Sequence, residues 1–138
     1  MAGTISDVKP VFISDEVAAD DDFIVTAARP DTAATIAISS FASGVARILN
    51  VSTTGTGDNG KTNTIVGTDV FGNALTEVIT STGSAEAVAG TKYFKTITSV
   101  TSSAQFAANL KVGSTTSAAQ SVGGGIRVRL KGFSIVSG

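Results

Sequence analysis

Short runs of β-branched residues, separated by Gly, Ser and Thr clusters, recur along this chain at intervals of about 8–12 residues, a spacing typical of sandwiches and barrels. Val, Ile and Thr are restricted at χ1 and fit a pleated surface. Leu, a strong helix former, occurs only four times in 138 residues, and no long amphipathic helix is apparent. We therefore expect an all-β protein with a single domain of eight or nine short strands.

The clearest local prediction is a β-hairpin in the middle of the chain. Residues 62–70 and 74–80 are both rich in β-formers, and Phe71, Gly72 and Asn73 connect them. Strand alternation puts Glu77 on the side of Leu75 and Ile79. If that side is buried, the carboxylate needs a Lys, an Arg or a backbone amide as partner.

Other segments carry weaker strand signals. The reversal with the strongest signal is Asn59-Gly60, for which we expect a positive φ, inside a polar loop at 52–61. Residues 104–112 can form a strand or a helix, and 113–125 are low in complexity. The remaining predicted strands are 10–14, 22–27, 35–38, 45–51, 93–100 and 126–131.

Charge is unevenly distributed along the chain. Residues 1–31 hold seven acids and two bases, whereas residues 32–138 hold four acids and eight bases, within an overall net charge of −1. We interpret 1–31 as an acidic, extended N-terminal arm with the first strands, and 32–138 as the β-sandwich domain. Weak overall charge and high apolarity favour association with other chains.

Two charged clusters are candidates for protein interaction. In the predicted strand 126–131 the basic residues share one face and the apolar residues share the other. A pI near 5.2 and the lack of interleaved aromatics argue against nucleic acid, and the acidic run lacks the spacing of a calcium loop. Both clusters can also be solvated faces. The candidate residues are Asp15, Glu16, Asp20, Asp21, Asp22, Arg127, Arg129 and Lys131.

Composition argues against most enzymes. The chain has no His, Cys or Trp, so it cannot form a disulfide, a Cys/His zinc site or a Ser-His-Asp triad by itself. We expect no catalytic residue, no cofactor and no bound metal. Neither a signal peptide nor an apolar run of about 20 residues is present, which predicts a product made in the cytoplasm and no membrane partner.

A family resemblance covers roughly residues 60–114. The stretch from Val66 to Ile79 reads as "G-T-D-x-x-G-x-x-x-T-E", and "F-K-T-I-T-S-V" follows at 94–100, with a "V-G" strand end at 112–113. This order resembles small β-rich virion proteins of tailed bacteriophages, most of all the capsid decoration, or cement, proteins. The acidic N-terminal stretch and the basic 126–131 segment lie outside it.

The resemblance implies a jelly-roll-like sandwich and a non-enzymatic function. A decoration protein would bind the outer surface of the shell of major capsid protein, as a dimer or trimer, and stabilise the joints between capsomers. Its location would be the capsid surface of the virion. One alternative is a tail tube, head–tail connector or fibre-base component; a second is a carbohydrate-binding adhesin, although the chain has only eight aromatic residues.

Overall fold

A computed structural model describes residues 19–30, 35–36, 38 and 45–119. Among them, no helix is long and apolar enough to span a bilayer. A 3-10 turn spans Thr56–Asp58. The described strands are β1 (Asp20–Ala28), β2 (Thr35–Ile36), β3 (Ala46–Thr53), β4 (Thr62–Thr68), β5 (Ala74–Thr80), β6 (Val88–Phe94), β7 (Thr96–Ser102) and β8 (Leu110–Ala119).

The strands form an all-β sandwich of two antiparallel sheets, as the sequence predicts. Sheet A has the order β1-β8-β3-β6, and sheet B has the order β2-β7-β4-β5. The hydrogen-bonded pairs are nested along the chain: β1 pairs with β8, β2 with β7, β3 with β6 and β4 with β5. Successive pairs alternate between the sheets: the first and third pairs lie in sheet A, and the second and fourth pairs lie in sheet B.

The core lies between the sheets and is filled by alternate residues of the strands. In β4 and β5 buried and accessible positions alternate, and Ile65 and Ile79 are directed inward together with Glu77. Burying this apolar surface is the main driving force for folding. The fully buried large side chains include Ile24, Leu49, Val51, Ile65, Phe94, Val100, Phe106, Leu110 and Val112.

The predicted central hairpin is confirmed. β4 and β5 pair in unbroken register from Thr62 opposite Thr80 to Thr68 opposite Ala74. Gly72 has φ +86° in the connecting turn, and Gly60 has φ +82° in the loop before β4. Both glycines adopt a left-handed conformation that is costly for residues with a Cβ.

The predicted single strand at 93–100 is wrong, because the chain changes sheets at Lys95. Phe94 ends β6 in sheet A opposite Arg47, and Thr96 begins β7 in sheet B opposite Thr68. The Lys95 N–H donates to the Thr68 carbonyl at 2.7 Å and so holds the corner. A continuous β-rich sequence does not show where a strand leaves one sheet for the other.

The segment predicted at 104–112 is mostly loop. Phe106 is fully buried within it, and its N–H donates to the Pro30 carbonyl at 2.9 Å. The last described strand, β8, begins at Leu110 and continues to Ala119 into the low-complexity stretch. The predicted strands at 10–14 and 126–131 lie outside the described residues.

A β-bulge between β4 and β7 requires a glycine. The register shifts between Val66 and Gly67, and Gly67 then lies opposite Ile97. A Cβ at position 67 would overlap the carbonyl oxygen of Thr96. The backbone of β7 can approach this closely only because residue 67 has no side chain.

We expect Gly67→Ala to lower the free energy of unfolding by about 1–3 kcal/mol, since the methyl group must displace backbone and not a flexible side chain. Urea unfolding followed by circular dichroism measures this loss. Gly57→Ala is the matched control, because a Cβ there would meet only the Ala107 Cβ at 3.6 Å. Equal stability of the two variants would contradict the assignment of the bulge to Gly67.

Candidate interaction surface

The acidic run at the start of β1 is tied to the sheet A strands beside it. Asp21 Oδ1 accepts a hydrogen bond from Asn50 Nδ2 at 2.6 Å, and Lys111 Nζ forms an ion pair with Asp22 Oδ2 at 3.4 Å. Asp20 Oδ1 accepts from the Asp22 N–H at 3.1 Å. Asp22 and Lys111 keep nearly half of their side-chain surface exposed, so this pair contributes little to stability.

The start of β1 also lies over its neighbour in the sheet. The backbone of Asp20 and Asp21 occupies the space into which a Cβ of Gly113 would project. Asn50, which pairs with Gly113 in the ladder, is only 4% exposed. The outward side of sheet A is therefore partly covered by its own chain at this place.

The other predicted interaction residues cannot be placed. Asp15, Glu16, Arg127, Arg129 and Lys131 lie outside the described residues. Their part in a protein interaction stays a prediction. Within the described parts of the chain, no group of three or more Asp or Glu side chains is arranged to hold a metal ion.

Asp58 anchors the loops at one end of the sandwich, a role that the sequence did not predict. It is fully buried, and its two oxygens accept four hydrogen bonds. Oδ1 accepts from Lys61 Nζ at 2.7 Å and from the Ala107 N–H at 2.6 Å. Oδ2 accepts from Thr53 Oγ1 at 2.7 Å and from the Ala108 N–H at 3.1 Å.

This network holds the pKa of Asp58 well below its ordinary value. Burial alone would raise the pKa, but the Lys61 ammonium and then the Ala107, Thr53 and Ala108 hydrogen bonds outweigh it and lower the pKa to about 2. Lys61 is fixed in turn, because its ammonium donates to the Gln105 carbonyl and lies 5.2 Å from the centre of the Phe106 ring.

Asp69 stabilises the turn of the central hairpin. Its Oδ1 accepts from the Phe71 N–H at 2.8 Å and the Asn73 N–H at 2.9 Å, and its Oδ2 accepts from Asn73 Nδ2 at 3.0 Å. The Asn73 side chain first, and then the backbone amides, lower the pKa of Asp69. The Asp and the second Gly of "G-T-D-x-x-G" are thus explained by turn geometry, and the first Gly by the bulge.

Glu77 shares a side with Ile79, as predicted, and that side is directed inward. Glu77 joins the two sheets where their edge strands meet. Oε1 accepts from the Thr91 N–H at 2.6 Å and Thr91 Oγ1 at 3.0 Å, and Oε2 accepts from the Lys92 N–H at 3.4 Å. In the opposite direction, Lys92 Nζ donates to the Thr76 carbonyl at 2.6 Å. The edges of β5 and β6 are thereby capped by each other's side chains.

Gly90 makes room for this arrangement. A Cβ at position 90 would overlap the Glu77 carboxylate. Unpaired edge strands are otherwise templates for pairing with another chain. We call the Glu77, Gly90, Thr91 and Lys92 contact the seam.

The outward face of sheet B carries small, uncharged side chains. In β4 every second residue, Thr62, Thr64, Val66 and Thr68, is directed outward, and β5 continues the face with Val78, which is 56% exposed. We call this surface the threonine face. Its remaining described members are Thr35, Ala74, Thr76, Thr80, Thr96, Ser99 and Thr101.

The sequence shows part of this surface but not its extent. Alternating Thr residues are visible at 62–68, but the addition of β7 and β2 beside them depends on the sheet order. Asp58 could not be recognised, since its amide donors lie about fifty residues away in the chain. Comparison of the chain with known protein families, curated proteins and solved structures finds no match.

We expect stability to fall in acid because of Asp58. Its folded pKa of about 2 lies below the ordinary value of 3.8, so its contribution is complete above about pH 4 and is lost as the pH falls through about 2. The loss is about 2 kcal/mol. Urea unfolding between pH 7 and pH 2 measures it as the difference between wild type and Asp58→Asn.

Asp58→Asn should also cost about 3 kcal/mol at pH 7, because Lys61 and at least one amide lose their acceptor. Asp69→Asn is the control, with a smaller loss because its turn is exposed. If both variants lost the same stability and kept the same pH dependence, Asp58 would not be the residue that anchors these loops.

The seam predicts a specific coupling between two positions. Gly90→Ala should destabilise the protein by about 1–3 kcal/mol, because the methyl group displaces the Glu77 carboxylate from its amide donors. In a Glu77→Ala background the same substitution should cost much less, since no carboxylate remains to be displaced. A double-mutant cycle by urea unfolding measures this difference, and additive losses would contradict the seam.

Proposed function

We propose that this chain is a non-enzymatic structural protein of a tailed-phage virion, a decoration protein on the outer surface of the major capsid protein shell. The resemblance at residues 60–114 supports the virion assignment. The structural support is that its inward-facing carboxylates are engaged in holding the fold: Asp58 anchors loops and Glu77 closes the seam. The structural use of these two acids supports a protein that acts through its surfaces.

The nested strand pairing supports the finer proposal that the sandwich is a jelly roll. Eight strands in two four-stranded sheets, with the first pairing the last and each following pair in the other sheet, are what that topology requires. The resemblance implies the same topology for decoration proteins. The sandwich would then be a stiff unit, which suits a clamp across the joints of a pressurised shell.

The acidic start of β1 supports a polar contact with the shell. Asp20 and Asp22 remain accessible on the sheet A side, although Asp22 has Lys111 as a partner. We propose that they bind the major capsid protein together with Asp15, Glu16 and the basic residues Arg127, Arg129 and Lys131. Exposed charges of this kind give orientation and salt-dependent binding more than affinity.

Binding to purified shells that lack this protein tests the proposal. We expect saturation at a copy number set by the number of capsomers, measured by co-sedimentation and densitometry. Asp20→Asn with Asp22→Asn should lower occupancy at low salt, and Glu86→Gln, an exposed acid in the loop before β6, is the matched control. Triple replacement of Arg127, Arg129 and Lys131 by Ala should act in the same direction.

Two outcomes would contradict this function. Absence of binding to shells at any salt concentration would remove the capsid assignment. Attachment at a single vertex only would favour the connector or tail alternative over a decoration protein.

A further inference from the structure

The threonine face differs from the rest of the described surface in carrying no charge. Thirteen charged residues occur in the described ranges, and none belongs to this face. Lys61, Asp69 and Lys95 lie next to members of the face at the strand ends. Lys92 is directed to the Thr76 carbonyl of the β5 edge. The opposite outward side of sheet A carries Asp22 and Lys111 and is partly covered by its own chain.

The hydroxyl groups of the face are partly satisfied by one another. Thr68 Oγ1 and Thr96 Oγ1 are 2.7 Å apart across β4 and β7, and Thr35 Oγ1 and Thr101 Oγ1 are 3.3 Å apart across β2 and β7. Cross-strand Thr pairs of this kind stabilise a sheet. They also lower the cost of removing water from the face, because a hydroxyl that already has a partner loses less on burial.

The seam disfavours association through the edge of β5. β5 is the edge strand of sheet B, but Lys92 and Glu77 cap the contact between its edge and that of β6. A second chain is thus hindered from adding a strand here, whereas the outward side chains of β5 beside it are exposed. Phe71, 75% exposed, stands at the end of the same hairpin.

We propose that the threonine face is the surface through which two copies of this chain associate, face to face about a two-fold axis. The inference deepens the proposed function and rests on it for the expectation of a homo-oligomer. A self-complementary contact brings each residue opposite its own kind. A neutral face makes this contact without like-charge repulsion, whereas the sheet A side would bring the acids of β1 together.

The size of the face sets the strength of the contact. Seven residues along β4 and four strands across give roughly 400 Å² per copy from the ordinary strand spacings. This is about half of the roughly 800 Å² per partner in a standard interface. We therefore expect a weak dimer that dissociates on dilution, and that becomes persistent when both copies are also attached to one particle.

Sedimentation velocity from roughly 10 µM to 1 mM, a range chosen for weak binding, tests this inference. Wild type should shift from 13.8 kDa toward twice that mass. Thr64→Lys and Thr64→Asp should each weaken dimerisation by at least about tenfold, and their mixture should restore it, because the two copies of Thr64 approach one another at the centre of the face. Thr116→Lys, on an exposed position of β8 in sheet A, is the matched control.

Val78→Lys gives the same test at a position that is 56% exposed, should the Thr64 variants fail to fold. A wild type that stays monomeric at 1 mM overturns the inference, as does equal dimerisation of Thr64→Lys and Thr116→Lys. Shell binding separates this result from the proposed function. If the protein is monomeric in solution but binds shells to saturation, only the threonine face as an interface is refuted. If it dimerises but does not bind shells, only the capsid assignment is refuted.

Discussion

The buried carboxylate of Asp58 is the interaction on which one end of the sandwich depends. Loops that connect the two sheets meet there, and the backbone amides of Ala107 and Ala108 donate to a side chain and not to a neighbouring strand. Asp58 accepts from Ala107 and Ala108 in the β7–β8 connection and from Lys61 next to β4. Because Lys61 also contacts Gln105 and Phe106, and Phe106 binds Pro30, the charge of one side chain holds three connections together.

The seam uses the same chemistry at a different place. Glu77 accepts from amides of β6 that have no strand partner, just as Asp58 accepts from amides of a loop. In both cases a carboxylate replaces a missing backbone carbonyl, and charge-assisted hydrogen bonds offset the cost of burial. A sandwich has edges and ends where its ladders stop, and this chain places its inward-facing acids there.

Local features of the fold could be read from the sequence, and long-range ones could not. The hairpin around Gly72, the positive φ of Gly60 and the shared side of Glu77 and Ile79 depend on residues within one or two strands of each other. The change of sheet at Lys95 and the partners of Asp58 depend on segments distant in the chain. Of the predicted interaction residues, the structure places Asp20, Asp21 and Asp22 at the start of β1, and their binding to a partner stays a prediction.

The two outward sides of the sandwich are suited to different kinds of contact. The sheet A side has accessible charges at Asp22 and Lys111, and charged surfaces select partners of complementary charge. The threonine face of sheet B carries no charge and is rich in Thr and Val methyl groups, which suits contact with a second copy of itself. The function proposed above requires binding to a shell and to a second copy, and two different surfaces on opposite sheets would keep each contact from obstructing the other. The seam supports this separation, because it hinders strand addition at the edge where the two sheets come together.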